Sequence, residues 1–340
     1  MIKEITHRED WNKFLLKIEK YDFYHTYGYH QTAKNTDEIA VLLVYDHNDV
    51  TIGLPLILRH IENSTYYDAT CVYGYCGPVA NNVKDDFDNS DYTKELDAYF
   101  KKNNIISVFG RLNPFVDNQD LILKDYGTIK HNGKLVNIDL GKDMDLQRQG
   151  YQSRLKTHIN KARRNCFVRK ADTKDEILEF IDIYYENMRR VNAKEDYFFS
   201  EDYFFKFLES DDFKAELYVA VHLETDQIIA GSIFVFTKDI IQYHLSGTRS
   251  AFLNLMPSKL LIDELRIIGT NRGLRFFNLG GGLGGSEEDS LFRFKSSFSK
   301  NLKDFKLWKL IVDKEIYDLL ARKKGITNEK SESFFPIYRI

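Results

Sequence analysis

One order of elements occurs twice along this chain, and the repetition constrains the fold more than any single motif does. The first half opens with Trp11, Phe14, Leu15 and Ile18 at helical spacing. Strands follow over 39–45 and 50–58 about the turn Asp46-His47-Asn48-Asp49, then a helix near 91–102 and a strand over 105–109. The second half repeats this. A capping box, Thr173 with Glu176, starts a helix with Ile177, Phe180, Ile181 and Tyr184 on one face. Strands over 216–223, 228–236 and 240–246 lead to a helix punctuated by Pro257 at its start and Gly273 past its end, and a strand over 275–279 enters a glycine turn. Helices alternating with strands in two matching halves predict an α/β protein of two like domains. A chain of 340 residues is long for one core, which points the same way.

The division is expected within the polar connector around Gly141–Gly150, after a strand over 135–140. That gives a first domain over 1–148, a second over 149–320, and a C-terminal tail over 321–340. Charged residues make up 29% of the chain and no segment approaches a membrane span, so the expectation is a soluble globular protein. The first residues, Met1-Ile2-Lys3-Glu4-Ile5-Thr6, lack a basic and then apolar leader, and the protein is expected in the cytoplasm. Cys71, Cys76 and Cys166 cannot all pair and form no C-x-x-C, so neither a disulfide framework nor a metal site is expected. A net charge of -3 excludes nucleic-acid binding driven by overall charge, though not by a local patch.

The strongest local patch is the predicted helix Ser153–Cys166. Leu155, Ile159, Ala162 and Cys166 form its apolar stripe, and Arg154, His158 and Lys161 line an adjacent face. The plain alternative is a solvated face.

Phe276-Phe277-Asn278-Leu279 runs into Gly280-Gly281-Gly282-Leu283-Gly284-Gly285, which reads as a strand, a glycine turn and then a helix, bringing backbone N–H groups and Lys295 to one place. Gly280, Gly282 and Gly285 formally satisfy the dinucleotide fingerprint G-x-G-x-x-G. That fingerprint should open a nucleotide-binding fold, with further strands and an acid about 20 residues on. Here it lies near the C-terminus with one predicted strand, 305–312, after it, and Asp313 falls too far along. Ser286 with Asp289 reads as a capping box that starts the helix, with Leu291, Phe294 and Phe298 as its buried stripe and Lys295 on the edge of that stripe. Snorkelling of Lys295 into water is the competing reading.

Taken in order, Ser153-Arg154 to Lys161-Ala162, Tyr243-His244-Leu245-Ser246-Gly247, Asn278-Leu279-Gly280-Gly281 and Phe294-Lys295-Ser296-Ser297-Phe298 resemble the FemABX (peptidoglycan bridge-forming) transferases. Tyr73-Gly74-Tyr75-Cys76-Gly77-Pro78 and Phe109-Gly110-Arg111-Leu112-Asn113-Pro114 are similar to motifs of the envelope-polysaccharide branch of that group. The resemblance implies two tandem acetyltransferase-like (GNAT) domains, mixed sheets flanked by helices, with the donor on the second. It places the acceptor in a cleft between the domains or along the first, and the tail against domain one. By motif, Lys295 matches a lysine that stabilises charge on the donor side, Arg154 an arginine that holds precursor phosphate, and Tyr243 a strand tyrosine facing the acceptor. His158 stands where an acceptor-binding tyrosine is expected, which puts the acceptor's identity in doubt. Tyr75 and Arg249 complete the substrate-binding candidates.

Acyl transfer to an amine needs a neutral nucleophile, a polarised carbonyl and a stabilised leaving group. Acetyl-CoA enzymes of this fold cradle pyrophosphate on R/Q-x-x-G-x-G/A, whereas this chain has Arg249-Ser250-Ala251-Phe252-Leu253-Asn254, with bulk at Phe252 and Asn254. That lowers acyl-CoA as donor without excluding it, the resemblance implies aminoacyl-tRNA as the donor, and no tightly bound cofactor is expected. For a general base, Asp68, Glu264 and His244 qualify by residue type alone. The expected activity is transfer of an aminoacyl or other acyl group to an amine of a UDP- or lipid-linked cell-envelope glycan or peptidoglycan precursor. The resemblance adds tRNA as a candidate partner and leaves peripheral membrane contact open. The alternatives are an acyl-CoA-dependent N-acyltransferase acting on an amino sugar, and a non-catalytic binding module of envelope assembly.

Overall fold

In the computed structural model, which describes residues 1–325 and 334–340, the chain opens with β1 (Lys3–Ile5), α1 (Arg8–Lys17), α2 (Tyr27–Ala33), β2 (Ile39–His47), β3 (Val50–His60), β4 (Tyr67–Thr70) and β5 (Val79–Asn81). There follow α3 (Ser90–Lys102), β6 (Ile105–Arg111), α4 (Gln119–Ile122) and β7 (Thr128–Asp139). Next come α5 (Met144–Gln149), α6 (Ser153–Asn165), β8 (Cys166–Lys170), α7 (Lys174–Arg190), α8 (Glu201–Leu208), β9 (Lys214–His222), β10 (Ile228–Thr237) and β11 (Ile240–Thr248). The chain closes with α9 (Pro257–Asn271), β12 (Phe276–Gly280), α10 (Ser290–Ser296), β13 (Asn301–Ile311) and α11 (Lys314–Lys323). Two compact units result: residues 1–132 with 304–340, and residues 133–303. Among the described residues no helix is long and apolar enough to cross a membrane.

The first unit is built on the order β1-β2-β3-β4-β6-β13, with β5 added on β3. The predicted hairpin forms with Ile39 opposite Leu58 and His47 opposite Val50, turning through Asn48 at positive φ. Both its faces are buried, which explains its nearly unbroken apolar run. Val41, Leu43 and Tyr45 join a core with Tyr92, Leu96 and Phe100 of α3 and Trp308 of β13. Ala40, Leu42 and Val44 meet Trp11, Phe14, Leu15 and Ile18, the stripe legible in the sequence. At the other end of the unit Tyr317, Leu320, Ile337 and Tyr338 pack on Ile61 and Ile106, and the Tyr338 and Ser107 hydroxyls share a hydrogen bond of 2.8 Å.

The second unit carries the order β7-β12-β11-β10-β9-β8. One face holds a core of Val136, Ile138, Phe234, Ile241, Phe277 and Leu279, closed by Leu155 and Ile159 of α6, Leu261 and Leu265 of α9, and Phe292 of α10. Burial of each such side chain contributes about 1.5–3 kcal/mol. The other face meets α7 at close range. A Cβ on Gly231 would strike the Phe180 ring, and one on Gly247 the Ile183 carbonyl. Asp263, fully buried, fastens α6 and the turn before it to α9 by accepting from Tyr151 (2.9 Å) and Arg163 (3.0 Å), and it also accepts from Arg266 of its own helix (3.1 Å).

The units do not divide where the connector was expected. The stretch 141–150 is not a linker: it contains α5, whose Gln147 is buried and donates to the carbonyls of Leu140 and Lys142. The division instead falls inside β7, because Val136–Asp139 pair with β12. Residues 304–320, expected in the second domain, belong to the first unit because Leu307–Ile311 pair with β6. Of the tail, 326–333 lie outside the described residues, and Arg339 donates to Asp68 (2.8 Å) within the first unit.

Candidate acyl-transfer site

β11 and β12 are parallel neighbours for three residues only, Ile240 with Phe276, Ile241 with Phe277 and Gln242 with Asn278. β11 then continues to Thr248 paired with β10 alone, so the two strands part after Gln242. A bulge marks the same place: Leu245 lies opposite Ile233 and Tyr243 opposite Phe234, so the register shifts across His244. Residues 243–246 are half-buried within an otherwise buried strand.

β12 ends in the glycine turn. Gly280 and Gly285 adopt φ of 78° and 82°, which only glycine takes without strain. Gly282 has ordinary φ, and a side chain there would overlap the Asp289 carboxylate and the Ser286 carbonyl. Several of the turn's amides are used internally. Gly280 N–H donates to Asn278 Oδ1 (2.8 Å), Leu283 N–H to Asp289 Oδ2 (3.1 Å) and Ser286 N–H to the Leu283 carbonyl (3.0 Å). The glycines thus shape the turn around a carboxylate of the protein's own, the opposite of an anion cradle.

α10 starts later than the expected capping box. Asp289 is the N-cap, accepting from Leu291 (2.7 Å) and Phe292 (3.2 Å), while Ser286 accepts from Glu288 outside the helix. The helix is therefore rotated from the expected stripe: Phe292 is buried and Leu291 exposed. Lys295 falls on the inner face, 8% exposed, and donates through Nζ to the Gly281 carbonyl at 2.8 Å. Burial lowers its pKa to about 8, against the raising effect of Asp289. It does not snorkel.

The start of α6 meets the end of α10. Gln152 N–H donates to the Ser297 carbonyl (2.9 Å), and the rings of Tyr151 and Phe298 meet edge to face at 5.4 Å. Arg154 lies two residues past that junction and Lys295 two residues before it. On α6, Arg154 is exposed and His158 half-buried. Lys259, in the first turn of α9, donates to His158 Nδ1 at 2.7 Å. Burial, then Lys259, Arg154 and Lys161, lower the His158 pKa, while burial and Arg154 lower that of Lys259. Lys161 reaches the Asn254 carbonyl (2.9 Å). Among the described residues neither Arg154 nor Lys259 has a carboxylate partner, so like charges gather at this end of α6 and α9. Lys259 was missed because it lies about a hundred residues from Arg154 in sequence; only the packing of α6 on α9 joins them.

The remaining candidates separate. Tyr243 lies on the core face against Phe234, with its pKa raised to about 12 by burial. His244, on the α8 side, stacks on Phe207 at 4.6 Å and approaches the Tyr203 hydroxyl at 3.2 Å; burial lowers its pKa to about 3 and keeps it neutral. Arg249 is occupied by Glu179 (2.9 Å) and the Ile228 carbonyl (3.0 Å), a clamp of strand to α7. Phe252, in the loop that carries small residues in acetyl-CoA enzymes, packs against His222. Glu264 is paired with Arg163. Asp68, in the first unit, lies between Arg59 and Arg339.

Tyr75 also belongs to the first unit, its ring edge-to-face with Tyr24 and Phe305. The two first-half motifs meet there through a buried polar knot. Asn113 Nδ2 donates to the Tyr75 carbonyl (2.9 Å) and to Asp22 (3.1 Å), and Gln119 Nε2 to the carbonyls of Cys76 and Pro78 (both 2.8 Å). His25 adds a contact to the Cys76 carbonyl (3.1 Å). These hydrogen bonds hold the loops of both motifs together.

Comparison with known proteins agrees with this geometry. Residues 150–296 match the acetyltransferase (GNAT) domain family. The fold is similar to that of the crystal structure of FemX, with a TM-score of 0.70 at 13% identity over 93% of this chain and 99% of that one. It is also similar to L-PGS from Bacillus licheniformis, with a TM-score of 0.56 at 14% identity over 94% and 97%. A conserved protein of unknown function from Bacteroides thetaiotaomicron gives 0.57 at 12% identity over 91% and 100%. No curated protein matches the sequence at a significant level. The chain has the FemABX-like acetyltransferase fold, two mixed α/β units of that kind in tandem.

Proposed function

We propose that the protein is an acyltransferase that moves an aminoacyl or other acyl group to an amine of a cell-envelope glycan or peptidoglycan precursor. The observation that carries this reading is Lys295, an ammonium buried at the end of β12 where β11 and β12 part. In the reaction the neutral amine attacks the acyl carbonyl carbon and a C–N bond forms. The bond from that carbon to the carrier's oxygen or sulfur breaks, and the carrier leaves with the electron pair and takes up a proton. Lys295, held by the Gly281 carbonyl, supplies positive charge to the developing anion in a site of low polarity. Arg154 and Lys259, with His158 beside them, would hold a phosphate-bearing substrate, since the two cations gather with no carboxylate partner among the described residues.

Aminoacyl-tRNA is the preferred donor, because Phe252 and Asn254 occupy the loop that leaves backbone bare in acetyl-CoA enzymes. The fold likeness to FemX and L-PGS agrees with acyl transfer near the cell envelope. The test is incubation with charged tRNA or acyl-CoA together with UDP-linked amino sugars or muramyl peptides, read by mass spectrometry. The expected result is a new amide. No product with any donor, from folded protein that still binds the precursor, overturns the reading in favour of a binding module.

A further inference from the structure

One sheet face of the first unit gathers cations without acids. Val108 of β6, Trp308 and Leu310 of β13 and Ile129 of β7 all turn into the core that α3 closes. Alternation along each strand therefore sends Phe109 and Arg111 of β6, Leu307 and Lys309 of β13, and Lys130 of β7 to the opposite face. Lys309 lies opposite Phe109 and Leu307 opposite Arg111, which makes Arg111 and Lys309 diagonal neighbours.

The two half-buried cations rest on rings. Arg111 lies over Tyr73 (5.6 Å to the ring centre) and Phe109 (4.9 Å), and Lys309 over Phe335 (5.6 Å). The guanidinium also meets the Cys71 sulfur at 3.9 Å, which balances no charge. Among the described residues none of Arg111, Lys309 and Lys130 has a carboxylate partner. The acid on adjoining β4, Asp68, is already shared by Arg59 and Arg339. Burial and then Lys130 lower the Lys309 pKa, so these charges repel with nothing set against them. This happens in a chain whose net charge is -3. Apolar side chains reach out beside the cations: Tyr73 is 61% exposed and Ile311, next but one after Lys309 on the same strand face, 37%.

We propose that this face docks the protein on an anionic lipid surface. Aromatic and aliphatic side chains interleaved with cations suit the headgroup boundary, where rings meet the acyl edge and ammonium or guanidinium groups meet phosphates. The cations are spread over three strands, about 10 Å across, instead of converging on one small anion. Single-stranded nucleic acid is held chiefly by bases stacking on free ring faces, and here the rings carry the protein's own cations while Phe335 also stacks on Tyr317. The proposal goes beyond the acyl-transfer reading and uses none of its residues, so either can fail without the other.

Vesicle sedimentation with the full chain tests it. The probes are vesicles of phosphatidylcholine alone and of phosphatidylcholine with about 30% phosphatidylglycerol, each at low and at physiological salt. Wild type is expected to partition at least about tenfold more strongly onto the anionic vesicles, and the gain should shrink as salt rises. Lys130→Gln, Lys309→Gln and Arg111→Gln should each remove roughly fivefold of that gain. Tyr73→Ser should weaken partitioning onto both compositions and keep their ratio. Lys130 is exposed, so its variant serves if either of the other two does not fold. Arg154→Ala, in the basic cluster of the second unit, should partition as wild type does. Equal partitioning onto neutral and anionic vesicles, no partitioning onto either, or a preference that the three substitutions leave intact overturns the proposal. So does a loss of affinity for oligouridylate in the three variants with vesicle binding unchanged, which would assign the face to nucleic acid.

Discussion

The backbone N–H of Gln152 donates to the carbonyl of Ser297 at 2.9 Å, tying the start of α6, which carries Arg154, to the end of α10, which carries Lys295. Two residues far apart in sequence are thereby held at one end of the second unit. The chemistry expected of them differs: a guanidinium in water for a phosphate, and a dry ammonium for a developing anion. Each can be removed separately.

Lys295→Met should lose turnover and keep stability. A pKa lowered from 10.5 to about 8 means that burying the charged form costs roughly 3 kcal/mol at about 1.36 kcal/mol per pH unit. Methionine removes that cost and fills the same space, but leaves the Gly281 carbonyl short of a donor, worth about 1–3 kcal/mol in the other direction. The expected outcome is an unfolding temperature at pH 7 within a few degrees of wild type, with transfer reduced about a hundredfold or more, as for loss of one transition-state donor. A fall in both together would make Lys295 a structural residue.

The same lysine sets a pH dependence. Between about 8 and 10.5 the unfolded chain binds the proton and the folded chain does not, so this group makes stability rise with pH across that window. Wild type should therefore gain stability relative to Lys295→Met from pH 8 to 10.5, in paired denaturant titrations. Transfer that needs the ammonium should fall as pH rises through about 8, and the methionine variant should lack that limb.

The repeated order of helix, hairpin, helix and strand was legible because both hairpins are apolar and bounded by polar turns, and the Thr173–Glu176 capping box formed as read. Lys295 was found by motif, but its burial was not. Ser286 and Asp289 both qualify as caps, and the choice of Asp289 rotates the helix enough to exchange Leu291 for Phe292 at the core. Arg249 looked available by residue type, yet its acids lie on α7, about 60 to 70 residues earlier in the chain. Lys259 gave no signal, since what distinguishes it is its place beside His158 and Arg154, which has no sequence period.

Arg154→Ala and Lys259→Met should each weaken binding of UDP or inorganic pyrophosphate by roughly tenfold at low salt, the scale of one charge-assisted contact. The loss should shrink as salt rises, because Arg154 is exposed and screened. Burial and then the charges of Lys259, Arg154 and Lys161 hold His158 below its ordinary 6.5; a bound anion opposes those charges and favours the protonated ring, so wild-type affinity should increase as pH falls below that value and the increase should vanish in His158→Gln. Calorimetry over pH 5–8 checks both; affinity insensitive to Arg154, Lys259 and His158 would return this face to solvent.

Gly282→Ala separates the two readings of the glycine turn. The residue has a φ that alanine adopts freely, so the backbone itself would not be strained. The new Cβ would nonetheless meet the Asp289 carboxylate and the Ser286 carbonyl, backbone and cap together. Displacing Asp289 uncaps α10 at a cost of about 0.5–2 kcal/mol and moves the helix that carries Lys295. The expected result is a lower unfolding temperature, with transfer falling further than stability alone explains and no change in affinity for NAD or ADP, which the turn has no open cradle to bind. Gly284 meets nothing within 4 Å, but its φ of 61° makes it the control for backbone strain alone: Gly284→Ala should cost about 1 kcal/mol and leave Lys295 in place. If the two variants behave alike, the turn responds to flexibility and not to the packing of Asp289.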